Sequence, residues 1–214
     1  MLKVSKFESV KNPQITQIIA IDEVLNLIKY GDDNLKLIQT AREYGKGSPL
    51  YNNIKTELLP SFRFNFLFEG TASNKNIIDA TGLIYLDVDD VDSIPNNDYI
   101  FASWKSLSNT GFGILIKVDN LTLDNYSEVY NQLTGILQIS SDAGARKATQ
   151  QTVLSFDSNL YHNPNSLVYN NSNSKKVPNL PILKKKERGI GTNDTFLCIN
   201  SDSIRFNNIE DYFQ

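Results

Sequence analysis

The chain has little of what builds soft metal sites or covalent cross-links. One cysteine, Cys198, and one histidine, His162, stand among its 214 residues. That excludes an intrachain disulfide and any zinc site made of thiolates or several imidazoles. His162 lies in the polar turn LYHNP, a structural setting. Long apolar runs are also missing. No stretch approaches the roughly 20 residues of a membrane helix, and the amino-terminal MLKVSKFESVKNPQ carries no signal-peptide apolar core. Positive charge is not in excess. A formal net charge of −3 argues against a protein that coats nucleic acid wholesale, while leaving room for a local basic face. GxxxxGK[ST] does not occur, so the sequence carries no P-loop signature. The expectation from these absences is a cytoplasmic protein with no membrane partner.

What is present suffices for one real core: 40% of the residues are hydrophobic, and a charged share of 21% is ordinary for a folded domain. IDEVLNLIKY, residues 21–30, puts Ile21, Val24, Leu25 and Ile28 on one helical face, with Gly31 as a stop. A second helix, capped by Asp32 or Asp33, turns Leu35, Ile38 and Ala41 inward and ends at Gly45. SFRFNFLF, 61–68, alternates like a half-buried strand. Leu83 to Leu86 read as a central strand buried on both faces, and 99–106 and 111–118 as two more. A helix over 124–138 carries an inner stripe of Tyr126, Val129, Tyr130, Leu133, Ile136 and Leu137. A last strand passes through Thr152, Val153, Leu154 and Phe156. The order of elements predicts an α/β or α+β domain over residues 1–170. A lysine-rich linker over 171–192 and a terminal segment over 193–214 follow. That linker can track a nucleic-acid backbone or simply solubilise the chain.

The most informative stretch is GLIYLDVDDVD, residues 82–92, where a buried strand runs into four aspartates. Side chains alternate along a strand, so Asp87 and Asp89 leave one face together. Two adjacent carboxylates repel unless neutralised, and a hard divalent cation does so with oxygen ligands. A pair of such ions acidifies an attacking hydroxyl and stabilises a pentavalent phosphate. A third carboxylate is then expected, and Asp142, just past the 124–138 helix, is the candidate. The alternative is a solvated acidic turn, the expected role of Asp90 and Asp92. SLSNTGFG, 106–113, holds small hydroxylated residues and two glycines, which let backbone N–H groups approach a phosphate or simply turn a hairpin. Arg146 and Lys147 can meet phosphate or form a solvated loop.

Taken in order, LLPSFRF, GLIYLDVDD, SLSNTGFGILIKV and SDAGARKATQQTVLSFDSNLYHNP resemble the archaeo-eukaryotic primase (primase-polymerase) superfamily. The likeness spans residues 15–170 and is greatest to the primase-like domain at the front of VirE-type proteins of mobile elements and phages. It implies an α+β primase-type catalytic domain, with an RRM-like sheet and an associated α/β half. The activity it implies is template-directed nucleotidyl transfer on single-stranded DNA from nucleoside triphosphates, with Mg²⁺ or Mn²⁺ as cofactor and a separate replicative helicase as a further partner. The family's metal-binding aspartates fall on Asp87, Asp89 and Asp142, and its second-motif turn on Ser106, Ser108 and Gly111. Arg146 and Lys147 are the nucleotide-side cations. Two positions depart from the pattern: Gly113 stands where the second motif has histidine or lysine, and Gln150 where many relatives have arginine. A non-catalytic module that binds single-stranded DNA or recruits a helicase, and a metal-dependent nuclease, are the alternatives.

Overall fold

The computed structural model describes residues 1–12, 14–140 and 146–171. It is an α+β structure. In chain order, β1 (Lys3–Phe7) and β2 (Ile15–Ala20) form an antiparallel pair. They lead into α1 (Ile21–Tyr30), whose buried stripe is the expected Ile21, Val24, Leu25 and Ile28. Gly31 ends α1 by donating its N–H to the Leu27 carbonyl. A single tight turn over Asp32–Asn34 precedes α2 (Leu35–Tyr44), and neither aspartate makes a side-chain cap. Ile38 and Ala41 are buried as expected, and Leu35 is half-buried. A short helix, α3 (Pro49–Asn53), starts at Ser48, whose hydroxyl accepts from the Tyr51 N–H.

Residues 61–68 depart from the single half-buried strand the alternation predicts. They form two short strands, β3 (Ser61–Arg63) and β4 (Phe66–Phe68), which join different sheets. Their polar residues are buried along with the aromatic ones, because both faces are covered. β3 pairs with β1 on one side and with β9 (Thr152–Val153) on the other, completing a sheet of order β2-β1-β3-β9. β4 pairs with β5 (Ile77–Ala80). The expected final strand is thus only two residues long.

The main sheet is built on β6 (Leu83–Val88), β7 (Ile100–Lys105) and β8 (Phe112–Asp119). β8 lies between the other two and is antiparallel to both. β6 is therefore not the central strand. It pairs with β8 alone among the described residues, although it is buried on both faces. Its second edge is partly closed by Asn65, whose Oδ1 accepts the Tyr85 N–H at 2.8 Å. β10 (Tyr161–His162) pairs with β7, and β11 (Val168–Asn170) runs parallel to the end of β8. α4 (Tyr126–Leu137) buries Tyr126, Val129, Tyr130, Leu133 and Leu137, and Ile136 is half-buried.

The alternation along β6 sorts the core into two layers. Leu83 and Tyr85, with Ala102, Trp104 and Leu115, pack toward α1, α2 and the β3 aromatics. Ile84, Leu86 and Val88, with Ile114 and Ile116, pack on α4. Asp87 follows the parity of Leu83 and Tyr85, so its carboxylate emerges on the side of the α1–α2 layer. No helix among the described residues is long and apolar enough to cross a membrane.

Candidate functional site

Asp87 and Asp89 open into a cavity of about 290 Å³ at the end of β6. Its floor is the sheet face carrying Tyr85, Asp87 and Trp104. One wall is the Ser106–Ser108 turn, and the others come from Lys46, Tyr51 and Lys55 of the helical layer and from Gln150–Val153. Both carboxylates are half-buried, whereas Asp90 and Asp92 are exposed, as expected for turn residues. Asp90 takes a left-handed conformation, φ 56°, where the chain leaves the strand.

Each carboxylate has a protein neighbour. The Tyr85 hydroxyl donates to Asp87 Oδ1 at 3.4 Å. Burial, and then the Asp87 charge, pushes the Tyr85 phenol well above its ordinary pKa, so it remains a donor. Lys46 Nζ lies 3.6 Å from Asp89 Oδ1. Two half-buried carboxylates facing a hydroxyl-lined cavity form a donor set that suits a hard divalent cation. Among the described residues no group of three or more His, Cys, Asp or Glu side chains converges as a metal site. The expected third ligand, Asp142, lies outside the described residues.

The hydroxyl wall is held from behind. Ser106 Oγ and Ser108 Oγ are 3.1 Å apart, and Ser108 Oγ is 2.9 Å from Thr110 Oγ1. Tyr51, whose phenol is raised by burial, lines the same cavity as Ser108. Arg42, from α2, donates to the carbonyls of Leu107, Ser106 and Phe156 and to Ser155 Oγ. It therefore ties the turn to the segment after β9. Burial lowers the Arg42 pKa, with Asp157 opposing that shift.

Gly111 does not offer its N–H to the cavity; it donates to Ser106 Oγ at 3.3 Å. Its lack of a side chain serves a close approach instead, because a Cβ there would stand 2.3 Å from the Val88 carbonyl oxygen. Gly113 sits between Asp87 and Trp104 in the sheet register. A Cβ on it would meet Tyr85 Cε2 at 2.8 Å and Trp104 Cε2 at 2.9 Å. The space a side chain on Gly113 would need is filled by these two rings, and Tyr85 and Trp104 are buried. Phe112 is half-buried, with Lys105 Nζ 3.9 Å from its ring centre.

Of the predicted residues, the fold thus brings Asp87, Asp89, Ser106 and Ser108 together, with Gly111 behind them. Arg146 and Lys147 line a different cavity, beside Tyr126 and Thr149. Arg146 Nη1 there donates to Asn131 Oδ1 at 2.6 Å. Gln150 does line the Asp87 cavity. Lys46, Lys55, Tyr51 and Arg42 were not legible as site residues, since the sequence sets them in a loop and on amphipathic helices far from the aspartates. No protein-family model, no curated protein and no solved structure matches the chain.

Proposed function

We propose that the protein is a DNA primase-polymerase of the archaeo-eukaryotic primase type, acting in the cytoplasm on single-stranded DNA during replication of a phage or mobile element. The observation that carries this reading is the paired carboxylate of Asp87 and Asp89, leaving one strand face into a cavity walled by the Ser106–Ser108 turn. The strand order β6-β8-β7, followed by α4, supports an RRM-like half: it is the order of the first three strands and second helix of a β-α-β-β-α-β unit, here without the first helix and, among the described residues, without a last strand beside β6. The residues before and after β9 supply the opposite wall.

In this reading a primer or initiating 3′-hydroxyl attacks the α-phosphorus of a bound nucleoside triphosphate. A new P–O bond forms, the α–β bridging P–O bond breaks, pyrophosphate leaves, and the hydroxyl proton passes to solvent water. Asp87 and Asp89 would hold Mg²⁺ or Mn²⁺, which supplies positive charge against the developing phosphate oxyanion and acidifies the attacking hydroxyl. Tyr85 orients Asp87 through its hydroxyl, and Arg42 keeps the serine turn against the cavity. The test is nucleotide incorporation on single-stranded DNA with each metal and each nucleotide type, with and without primer. Product lost in Asp87→Ala/Asp89→Ala is expected; product that persists in that variant would overturn the reading.

One observation favours a second reading, a non-catalytic module that binds single-stranded DNA or recruits a helicase. The rings of Tyr85 and Trp104 close the position over Gly113 from which a relative would reach the phosphates. DNA binding with no incorporation under any metal or nucleotide would select it.

A further inference from the structure

The cavity holds two cations that the aspartate strand does not supply, and one of them already touches an aspartate. Lys46 sits in the turn between α2 and α3, between Gly45 and Gly47, whose φ angles are 80° and 98°. A Cβ on either glycine would meet nothing within 4 Å, so this turn stands clear of the body of the fold. The Lys46 side chain is 54% exposed and that of Asp89 33%, at a separation of 3.6 Å. An ion pair this open holds weakly and is readily exchanged. Lys55, just after α3, lines the same cavity and makes no ion pair among the described residues.

We propose that Lys46 serves two partners in turn: it neutralises Asp89 until a divalent cation binds there, and then joins Lys55 on the triphosphate of the incoming nucleotide. This rests on the reading of Asp87 and Asp89 as cation ligands. The physical reason is charge balance. Two carboxylates side by side need a counter-charge in the empty site, and Lys46 provides one. A divalent ion makes that charge redundant and brings a polyanion whose negative oxygens accept from ammonium donors. The sheet itself has no room for such a donor, because Gly113 is covered by Tyr85 and Trp104. The helical wall takes over that role from the opposite side.

The exchange has a signature that a simple phosphate contact lacks: removing Lys46 strengthens one ligand and weakens the other. Mn²⁺ binding is measured by titration calorimetry, alone and then with the α,β-methylene analogue of dATP. The proteins are wild type, Lys46→Gln, Lys55→Gln and Asp87→Asn/Asp89→Asn. Lys46→Gln is expected to bind Mn²⁺ alone roughly two- to five-fold tighter, and the Mn²⁺–analogue complex roughly ten-fold more weakly. Lys55→Gln removes the same charge without the Asp89 contact. It is expected to leave Mn²⁺ binding nearly unchanged while weakening the analogue. Mn²⁺ affinity that is unchanged or lower in Lys46→Gln, or analogue affinity that is unchanged, would overturn the exchange alone, provided that Mn²⁺ binding is lost in the aspartate variant. Wild type that binds no Mn²⁺ would overturn both the exchange and the polymerase reading. Unchanged circular dichroism and thermal midpoints in the lysine variants check that the fold is intact.

Discussion

Replacing Gly111 by alanine tests how closely β8 is bound to the aspartate strand. The added methyl would lie 2.3 Å from the Val88 carbonyl oxygen and 3.0 Å from Asp89 Cα. Carbon and carbonyl oxygen normally meet at roughly 3.3–3.6 Å, so the first contact is about 1 Å too short. The obstructing atoms are backbone, which has no rotamer to escape into, so the end of β6 must move and carry Asp87 and Asp89 with it. Overpacking of this kind costs about 1–3 kcal/mol, which for a chain of this size corresponds to a fall of roughly 2–12 °C in thermal midpoint. Gly135 is the matched control. It lies within α4, and a Cβ there meets nothing within 4 Å. Gly135→Ala is expected to gain about 0.5–1 kcal/mol from helix propensity. Urea and thermal unfolding of both variants should therefore move in opposite directions. Displacing the carboxylates by about 1 Å should also reduce incorporation by roughly 10²-fold. A Gly111→Ala protein as stable as wild type, beside a stabilised Gly135→Ala, would refute the reasoning.

Three further outcomes are expected. Asn65→Ala should lose about 2–3 kcal/mol in urea unfolding, because it strands the buried Tyr85 N–H and removes the Asn65 Nδ2 contacts to Tyr126 Oη and to the Lys147 and Ala148 carbonyls. Arg42→Lys keeps the charge but not the fork that spans Ser106, Leu107, Ser155 and Phe156. It should speed amide exchange over residues 106–111, and unchanged protection there would argue that Arg42 does not hold the turn. Stability should also fall above about pH 10. Burial raises the Tyr85 and Tyr126 phenols above their ordinary pKa, so they stay neutral in the fold while the unfolded chain ionises. The stability they hold below that pH is then lost as pH rises. Arg63, pulled down to about 10 by burial, works the other way over the same range. Unfolding free energies from urea titrations across this range should fall less steeply in Tyr126→Phe, by up to about 1.4 kcal/mol per pH unit, and equal slopes would count against the buried-phenol account.

Where local periodicity carries the information, sequence and structure agree. α1 and α4 bury the residues their 3.6-residue spacing selects, because a helix places its stripe by local geometry alone. The pairing of Asp87 with Asp89 on one face follows in the same way from the two-residue period of a strand. The reading of 61–68 goes astray for the opposite reason. Its alternation suggests a polar face toward water, yet those polar side chains bond inside the protein: Gln151 donates to Ser61 Oγ and accepts from Arg63, and Asn65 reaches β6. β1, β10 and β11 are short and carry mixed polar sequence, so they are strands only because a neighbouring strand accepts their hydrogen bonds.

By itself, then, the sequence determined a mixed α and β chain, α/β or α+β, with a buried strand ending in paired carboxylates, because each of those features is written in the spacing of adjacent residues. Which cations face the carboxylates was decided only by the tertiary structure. Arg146 and Lys147 are the basic residues near Asp142 in the chain, yet α4 packing turns them to a separate cavity. Lys46 reaches Asp89, and Lys55 lines the same cavity, because α2 and α3 dock on the sheet face where β6 ends. The β6-β8-β7 register sets Gly113 against Tyr85 and Trp104, so a side chain at that position has no room to face the carboxylates. Register and docking are sums of many long-range contacts, and no local pattern encodes them.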